Sequence, residues 1–177
     1  FAVNMYRKGE KKHPNKIALY WTIGSAIVSF VGAGLLGFAH TIPQTNIYTH
    51  GTLVTAMHGH LAFWGAYAMI VLAIISYALP NLTGRKLFDS SRGRMAFWMS
   101  NIGMVGMTVA FGVAGVAQVY LERKMKMDFM IVQNEISVHF IVLVTCATLF
   151  TTGIILYILE FIKHGIPSDE ALEENKN

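Results

Sequence analysis

Four long apolar stretches, separated by shorter polar segments, make up most of this chain. They lie at about residues 17–39, 52–79, 95–121 and 138–162. Each stretch has at least the roughly 20 residues that an α-helix needs to cross the hydrocarbon core of a membrane. The pattern therefore predicts an all-α integral membrane protein with four transmembrane helices, in which residues 1–177 form a single membrane domain.

The composition agrees with this prediction and excludes other classes of protein. The chain is 54% hydrophobic and 14% charged, whereas soluble domains contain about 25% charged residues. Too few residues lie outside the apolar stretches to form a soluble domain with a core of its own. Most basic residues lie near the ends of the apolar stretches, where they anchor helices. We therefore expect membrane lipid as a partner and no nucleic acid.

The basic residues also predict the orientation in the membrane. With four crossings, both termini and the segment between the second and third stretches lie on one side. That side holds all of the 14 Lys and Arg residues except Arg123, Lys124 and Lys126. Because segments rich in Lys and Arg stay in the cytoplasm, both termini are predicted to be cytoplasmic. The chain begins with Phe1 rather than Met, and we expect a fragment or a split part of a larger subunit.

The second apolar stretch contains two histidines and no charged residue. It reads TLVTAMHGHLAFWGAYAMIVLAIISYAL, with His58 and His60 near its start. An ionisable side chain is costly inside a membrane and is a functional candidate for that reason. Residues two apart on an α-helix are about 200° apart around its axis, so the two imidazoles point to nearly opposite sides. If both bind metal, they serve two separate centres, ~9 Å below the outer surface.

The two sides of this predicted helix differ in character. The neighbours on the face of His58 are mostly small, namely Thr55, Leu61, Ala62, Gly65 and Ala66. The neighbours on the face of His60 are richer in aromatic rings, namely Ala56, Met57, Phe63, Trp64 and Tyr67. Haem needs one axial ligand from a helix, whereas zinc needs several converging ligands that this spacing does not provide. The pattern favours two haems, and histidines that hydrogen-bond across the bundle are the alternative.

A longer sequence around these histidines resembles a known family. The run YTHGTLVTAMHGHLAFWGAYAMIVLAIISYALPNLTGRK is similar to the helix X region of the large subunit of cytochrome-c-dependent nitric oxide reductase, in the haem–copper oxidase superfamily. The preceding run FVGAGLLGFAHTIPQTNIYTHGT resembles the end of helix IX and its loop. The resemblance extends from about Asn15 to the end of the fourth stretch. It implies that the chain corresponds to helices IX–XII of a twelve-helix subunit.

The resemblance implies specific roles for several residues. His58 would be the proximal ligand of the high-spin haem b3, and His60 an axial ligand of the low-spin haem b. The backbone carbonyl of Gly51 would orient the proximal histidine through its other ring nitrogen. Thr41 and His50 match a polar loop near the haem propionates. His40, like His50, is expected at the membrane interface, with a hydrogen bond to an acidic group of a cofactor as the alternative.

The resemblance also implies a reaction and a set of partners. The family reduces two NO with two electrons and two protons to nitrous oxide and water, at haem b3 and a non-haem iron. The ligands of that iron lie on earlier helices, so this chain would be part of an enzyme and not catalytic alone. Its partners would be the remaining helices of the large subunit, the cytochrome c subunit and nitric oxide. The location would be the bacterial inner membrane, with the haem ends of the helices toward the periplasm.

Three alternatives stay open at this point. The first is a sibling enzyme, either a quinol-dependent nitric oxide reductase or an oxygen-reducing haem–copper oxidase. The second is a non-catalytic membrane subunit that carries two haems for electron transfer. The third is a helical bundle without a cofactor.

Overall fold

The structure of the protein, a computed structural model, describes residues 15–84 and 91–164. Within these two ranges the secondary structure is helical and contains no strand. Residues 1–14, 85–90 and 165–177, which include some of the Lys and Arg residues that predict the orientation, lie outside the described residues. The helices in chain order are α1 (Lys16–Thr41), α2 (Pro43–Thr49), α3 (Leu53–Thr83), α4 (Ser91–Lys124), α5 (Phe129–Glu135) and α6 (Ser137–His164).

Four of these helices are long and apolar enough to cross a membrane, namely α1, α3, α4 and α6. The prediction of an all-α membrane fold with four long apolar helices is therefore confirmed. The most apolar part of α4 is 50% buried, whereas the corresponding parts of α1 and α6 are 11% buried. The surfaces of α1 and α6 are consequently left to lipid or to other helices.

The bundle is held together at its centre by aromatic rings from all four long helices. Helix α3 packs between α1 and α4, and α4 has its most extensive contact with α6. Trp21 on α1 is fully buried and meets Trp64, Phe97 and Tyr157 edge to face, with ring centroids 6.0, 5.0 and 5.8 Å away. Such edge-to-face pairs are favourable beyond the area they bury, and this cluster fixes the four helices relative to one another.

Helices α1 and α3 each contain a π-helical segment where they cross. The segments are Phe30–Leu36 in α1 and Trp64–Ala68 in α3. A Cβ atom on Gly32 would lie 2.7 Å from backbone atoms of α3, and one on Gly65 would lie 2.5 Å from the backbone of α1. Small residues let helix backbones approach closely in a membrane, and at these two positions even a methyl group would clash. The two helices therefore touch backbone to backbone at two levels.

Side chains of the partner helix satisfy backbone carbonyls at each irregularity of α1 and α3. The carbonyl of Gly32 faces the imidazole of His58, with Nδ1 2.9 Å from the oxygen. The carbonyl of Gly65 accepts a hydrogen bond from Ser25 Oγ at 2.7 Å. The carbonyl of Ser76 accepts one from Asn15 Nδ2 at 2.7 Å. Since unpaired polar groups are costly in lipid, these contacts stabilise the irregular segments.

The boundaries of two elements differ from the sequence prediction. The second apolar stretch was predicted to end at about residue 79, just before Pro80, but Pro80 lies inside α3, which continues to Thr83. A proline removes the N–H that would bond the carbonyl four residues earlier, here that of Ser76, and Asn15 supplies the missing donor. The expected loop before α3 contains helix α2, which starts with Pro43 at its first turn, a position where proline is favoured.

Candidate functional site

The helix that carries both histidines begins at a capped and firmly held N-terminus. Thr52 is its N-cap, and the side-chain oxygen accepts a hydrogen bond from Val54 N. From α4, Gln118 Oε1 accepts a hydrogen bond from Leu53 N at 2.9 Å. Two of the otherwise unpaired N–H groups of the first turn are thus satisfied. The start of α3, and with it the level of the histidines, is fixed against α4.

His58 faces helix α1. Its Nδ1 lies 2.9 Å from the carbonyl oxygen of Gly32, in the π-helical segment of α1. One turn further along α1, Gly37 leaves space beside the other ring nitrogen. A Cβ atom there would lie 3.3 Å from Cε1 and 4.0 Å from Nε2 of His58. Because Gly37 has no side chain, α1 places no side chain of this residue against that edge of the imidazole.

A second imidazole from α1 lies against His58. The rings of His40 and His58 are stacked, with centroids 5.0 Å apart and planes at 25°. His40 Nδ1 lies 2.9 Å from the carbonyl oxygen of Leu36 in its own helix. Its Nε2 is buried and has no hydrogen-bond partner among the described residues. The contact that His40 offers to α3 is therefore the face of its ring.

His60 points to the other side of α3, toward α4 and α6. Its Nδ1 lies 2.8 Å from the carbonyl oxygen of Ala56, one turn earlier. The ring of Phe111 on α4 packs against the imidazole, with centroids 4.9 Å apart and planes at 34°. The two histidines therefore face different neighbouring helices, as the spacing of two residues requires.

An open apolar groove of about 700 Å³ lies beside His60. Its wall comes from α3, α4 and α6, through Ala56, Gly59, His60, Phe63, Trp64, Ala68, Met104, Phe150 and Ile154. The indole of Trp64 is held by a hydrogen bond from Nε1 to Asn101 Oδ1 at 3.2 Å. It also meets Phe150 edge to face, with centroids 4.9 Å apart. The volume lies within the range of cofactor sites, about 300–1,000 Å³, which are mostly apolar with a few polar groups.

The hydrogen bonds of the two imidazoles determine which ring nitrogen is available. A carbonyl oxygen only accepts hydrogen bonds, so in a neutral ring the proton is on Nδ1 of both His58 and His60. The lone pair is then on Nε2, which is the arrangement of histidines that bind metal through one nitrogen and donate from the other. This donor chemistry suits haem iron, the groove beside His60 has room for a planar ring, and Gly37 adds no side chain beside Nε2 of His58.

The structure places the other predicted site residues at the outer end of α1 and before α3. Thr41 is exposed and donates a hydrogen bond to the carbonyl of Phe38. His50 is exposed and caps α2. Gly51 follows in the turn with φ of +72°, a left-handed conformation that favours glycine. The carbonyl contact of His58 that was expected from Gly51 is made in this structure by Gly32, since the crossing of α1 and α3 brings that carbonyl to the ring.

Several residues of the site were not found from the sequence. Gly32, Gly37 and Phe111 were assigned no specific role at the histidines, and His40 was not placed beside His58. The glycine-rich run GAGLLG in the first stretch was the available signal for a close approach of another helix. Among residues 15–84 and 91–164, no group of three or more His, Cys, Asp or Glu could hold a metal ion.

Comparison with known proteins gives consistent matches. The family described as cytochrome c and quinol oxidase polypeptide I matches residues 2–149. A nitric oxide reductase subunit of Stutzerimonas stutzeri is 39% identical over 173 residues, which cover 93% of this chain and 36% of that protein. Cytochrome c oxidase subunit 1 of Thermus thermophilus is 26% identical over 91 residues, which cover 50% of this chain and 84% of that protein. The chain spans little more than a third of the length of the reductase subunit.

Proposed function

Because this chain belongs to the family of cytochrome c and quinol oxidase polypeptide I, we propose that it is the haem-holding part of a nitric oxide reductase. The observation that carries the proposal is the arrangement of His58 and His60. Their imidazoles face opposite sides of one helix, and each has Nδ1 bonded to a backbone carbonyl. Each Nε2 is then available to an iron.

The comparisons favour the reductase over the oxidase as the parent enzyme. The match to the nitric oxide reductase subunit covers 93% of the chain at 39% identity. The match to cytochrome c oxidase subunit 1 covers 50% of the chain at 26% identity. We therefore infer an oxidoreductase that couples two NO molecules to nitrous oxide and water with two electrons and two protons. This chain would act as part of a larger complex.

In this proposal each histidine serves a different haem. His58 holds the high-spin haem b3, and His60 holds the low-spin haem b in the groove next to Trp64. The haems supply electron transfer and the iron at which NO binds, and a second, non-haem iron is held by other helices of the complex. The role of this chain is to fix both imidazoles. It does so through two carbonyl contacts and through the ring neighbours His40 and Phe111.

The orientation of the chain in the membrane is inferred from the distribution of its Lys and Arg residues. We propose that both termini are cytoplasmic and that the histidine end of α3 faces the periplasm of a bacterial inner membrane. Thr41 and His50 lie near that outer end and are proposed to face the haem carboxylates. The sparsely buried helices α1 and α6 would contact the remaining helices of the large subunit. A cytochrome c subunit would deliver the electrons from the periplasmic side.

The test is a pair of alanine variants in the complete, purified reductase complex. His58→Ala should remove the haem that binds CO in the reduced state, while the low-spin haem remains. His60→Ala should disturb the low-spin haem. The measurements are the reduced-minus-CO difference spectrum and the haem content by pyridine haemochrome.

Two results would contradict the proposal. Haem spectra that stay unchanged in both variants would show that these imidazoles are not ligands. A wild-type complex with two CO-silent haems would instead indicate a subunit for electron transfer only. His139, which lies at the start of α6 with Nδ1 3.1 Å from the carbonyl of Ile136, provides the matched control, and His139→Ala should leave both haems in place.

A further inference from the structure

We propose that His40 is a positioning residue that sets the plane of the His58 imidazole by stacking on it. The inference rests on the proposed role of His58 as the ligand of the high-spin haem. It assigns His40, on α1, a role in holding His58, on α3. The role belongs to the ring of His40 rather than to its nitrogens.

The hydrogen bond of His58 restrains the plane of its ring only in part. The torsion that rotates an imidazole about its Cβ–Cγ bond is broad rather than confined to sharp staggered wells. The hydrogen bond from Nδ1 to Gly32 restrains one edge of the ring, but a hydrogen bond tolerates donor angles well below 180°, so the ring keeps some freedom to turn about the Cβ–Cγ bond. Gly37, on the opposite edge, has no side chain that could limit this rotation.

His40 supplies the missing constraint. Its ring lies over the ring of His58 with planes at 25° and centroids 5.0 Å apart, so a rotation of His58 would drive one ring into the other. His40 is itself held by the bond from Nδ1 to Leu36 in its own helix. The hydrogen bond holds the ring of His40 on its own helix, and that ring then limits how far the plane of His58 can turn.

Among the described residues, neither nitrogen of His40 makes a hydrogen bond with α3. Nδ1 is bonded within α1, and the buried Nε2 has no partner among the described residues. On the other side of α3, the phenyl ring of Phe111, which has no nitrogen, packs against His60 with planes at 34°. His58 and His60 thus each pack against an aromatic ring from an adjacent long helix.

The test compares two substitutions of His40 in the complete reductase complex. His40→Phe keeps a ring and removes both nitrogens, whereas His40→Leu keeps apolar volume and removes the ring. The readout is the iron–histidine stretching band of the reduced, CO-free complex by resonance Raman spectroscopy, which reports the bond to the proximal imidazole. The ratio of CO-binding haem to low-spin haem gives occupancy independently of the yield of protein.

We expect His40→Leu to shift or broaden the iron–histidine band and to lower the affinity of the His58 site for haem by about tenfold or more, the usual effect of losing a neighbour that orients a metal ligand. His40→Phe should keep the wild-type band. Phe111→Leu should alter the low-spin haem and leave the band unchanged.

Two outcomes would overturn the inference. An unchanged band in His40→Leu would show that the plane of His58 does not depend on this ring. A loss as large in His40→Phe as in His40→Leu would show that a nitrogen of His40 is required instead of its ring. Failure of the underlying function is distinguishable, because the wild-type complex would then have no iron–histidine band, or His58→Ala would retain it.

Discussion

Replacement of Gly32 by alanine tests the crossing of α1 and α3 and its connection to the ligand. The new Cβ atom would lie 2.7 Å from Ala62 N and from Leu61 C. Both are backbone atoms of α3 and cannot rotate away. Gly34 lies two residues further in the same π-helical segment, where a Cβ atom would meet its nearest neighbour, in Phe30, at 3.7 Å. The two substitutions therefore add the same methyl group to opposite faces of one helix.

The magnitude follows from these distances. Carbon atoms pack best at about 3.5–4.0 Å, so Gly32→Ala should force the backbones roughly 1 Å apart. Overpacking of this kind costs about 1–3 kcal/mol and sometimes more. The same movement would lengthen the contact between His58 Nδ1 and the carbonyl of residue 32, now 2.9 Å, to roughly 3.9 Å, where a hydrogen bond is lost. Gly34→Ala should cost nothing comparable.

The assay is the purified complex, with the low-spin haem as an internal standard. We expect Gly32→Ala to lower the thermal stability and to reduce the amount of CO-binding haem relative to low-spin haem. Gly34→Ala should match the wild type in both measurements. If Gly32→Ala kept wild-type stability and a full complement of CO-binding haem, the close crossing and the role of the Gly32 carbonyl would both be refuted.

Two further predictions concern the groove and the start of α3. A side chain at Gly59 would meet open space, since no heavy atom lies within 4 Å of its Cβ position, yet the residue lines the groove beside His60. Gly59→Leu should therefore leave the bundle at least as stable, because leucine is about 0.8 kcal/mol better than glycine in a helix. It should also reduce the absorbance of the low-spin haem, because the new side chain would enter the groove. An undiminished absorbance would show that the groove holds no cofactor. Thr52→Val should destabilise the protein by about 0.5–2 kcal/mol through loss of the N-cap, whereas Thr52→Ser should not. The measurement is thermal unfolding. Equal losses in both variants would mean that the hydrogen bond from Val54 N to the hydroxyl oxygen is unimportant.

The sequence predicted the long helices well because the membrane leaves few alternatives. Backbone groups in lipid must be paired within the segment, so an apolar stretch of sufficient length becomes a helix. Helix ends were predicted less well. Pro80 lies inside α3 because Asn15, distant in sequence, donates to the carbonyl that the proline leaves unpaired. A pattern along one stretch does not contain this donor.

The sequence predicted the directions in which His58 and His60 point, but not the residues that surround them. The spacing of His58 and His60 fixed their opposite directions, because the rotation per residue is a property of every α-helix. The identity of the carbonyl beside His58 could not be read in the same way. Gly51 was close in sequence, whereas Gly32 reaches the ring through the crossing of two helices.

By itself, the sequence determined four membrane-crossing helices and two histidines on opposite sides of one of them. Both properties are local, since they depend on the hydropathy and the geometry of single helices. Only the tertiary structure decided that His58 faces α1, where Gly32 and His40 meet its ring, and that His60 faces the groove between α4 and α6. These contacts depend on which helices approach one another and how closely, which is set by packing between residues far apart in the chain.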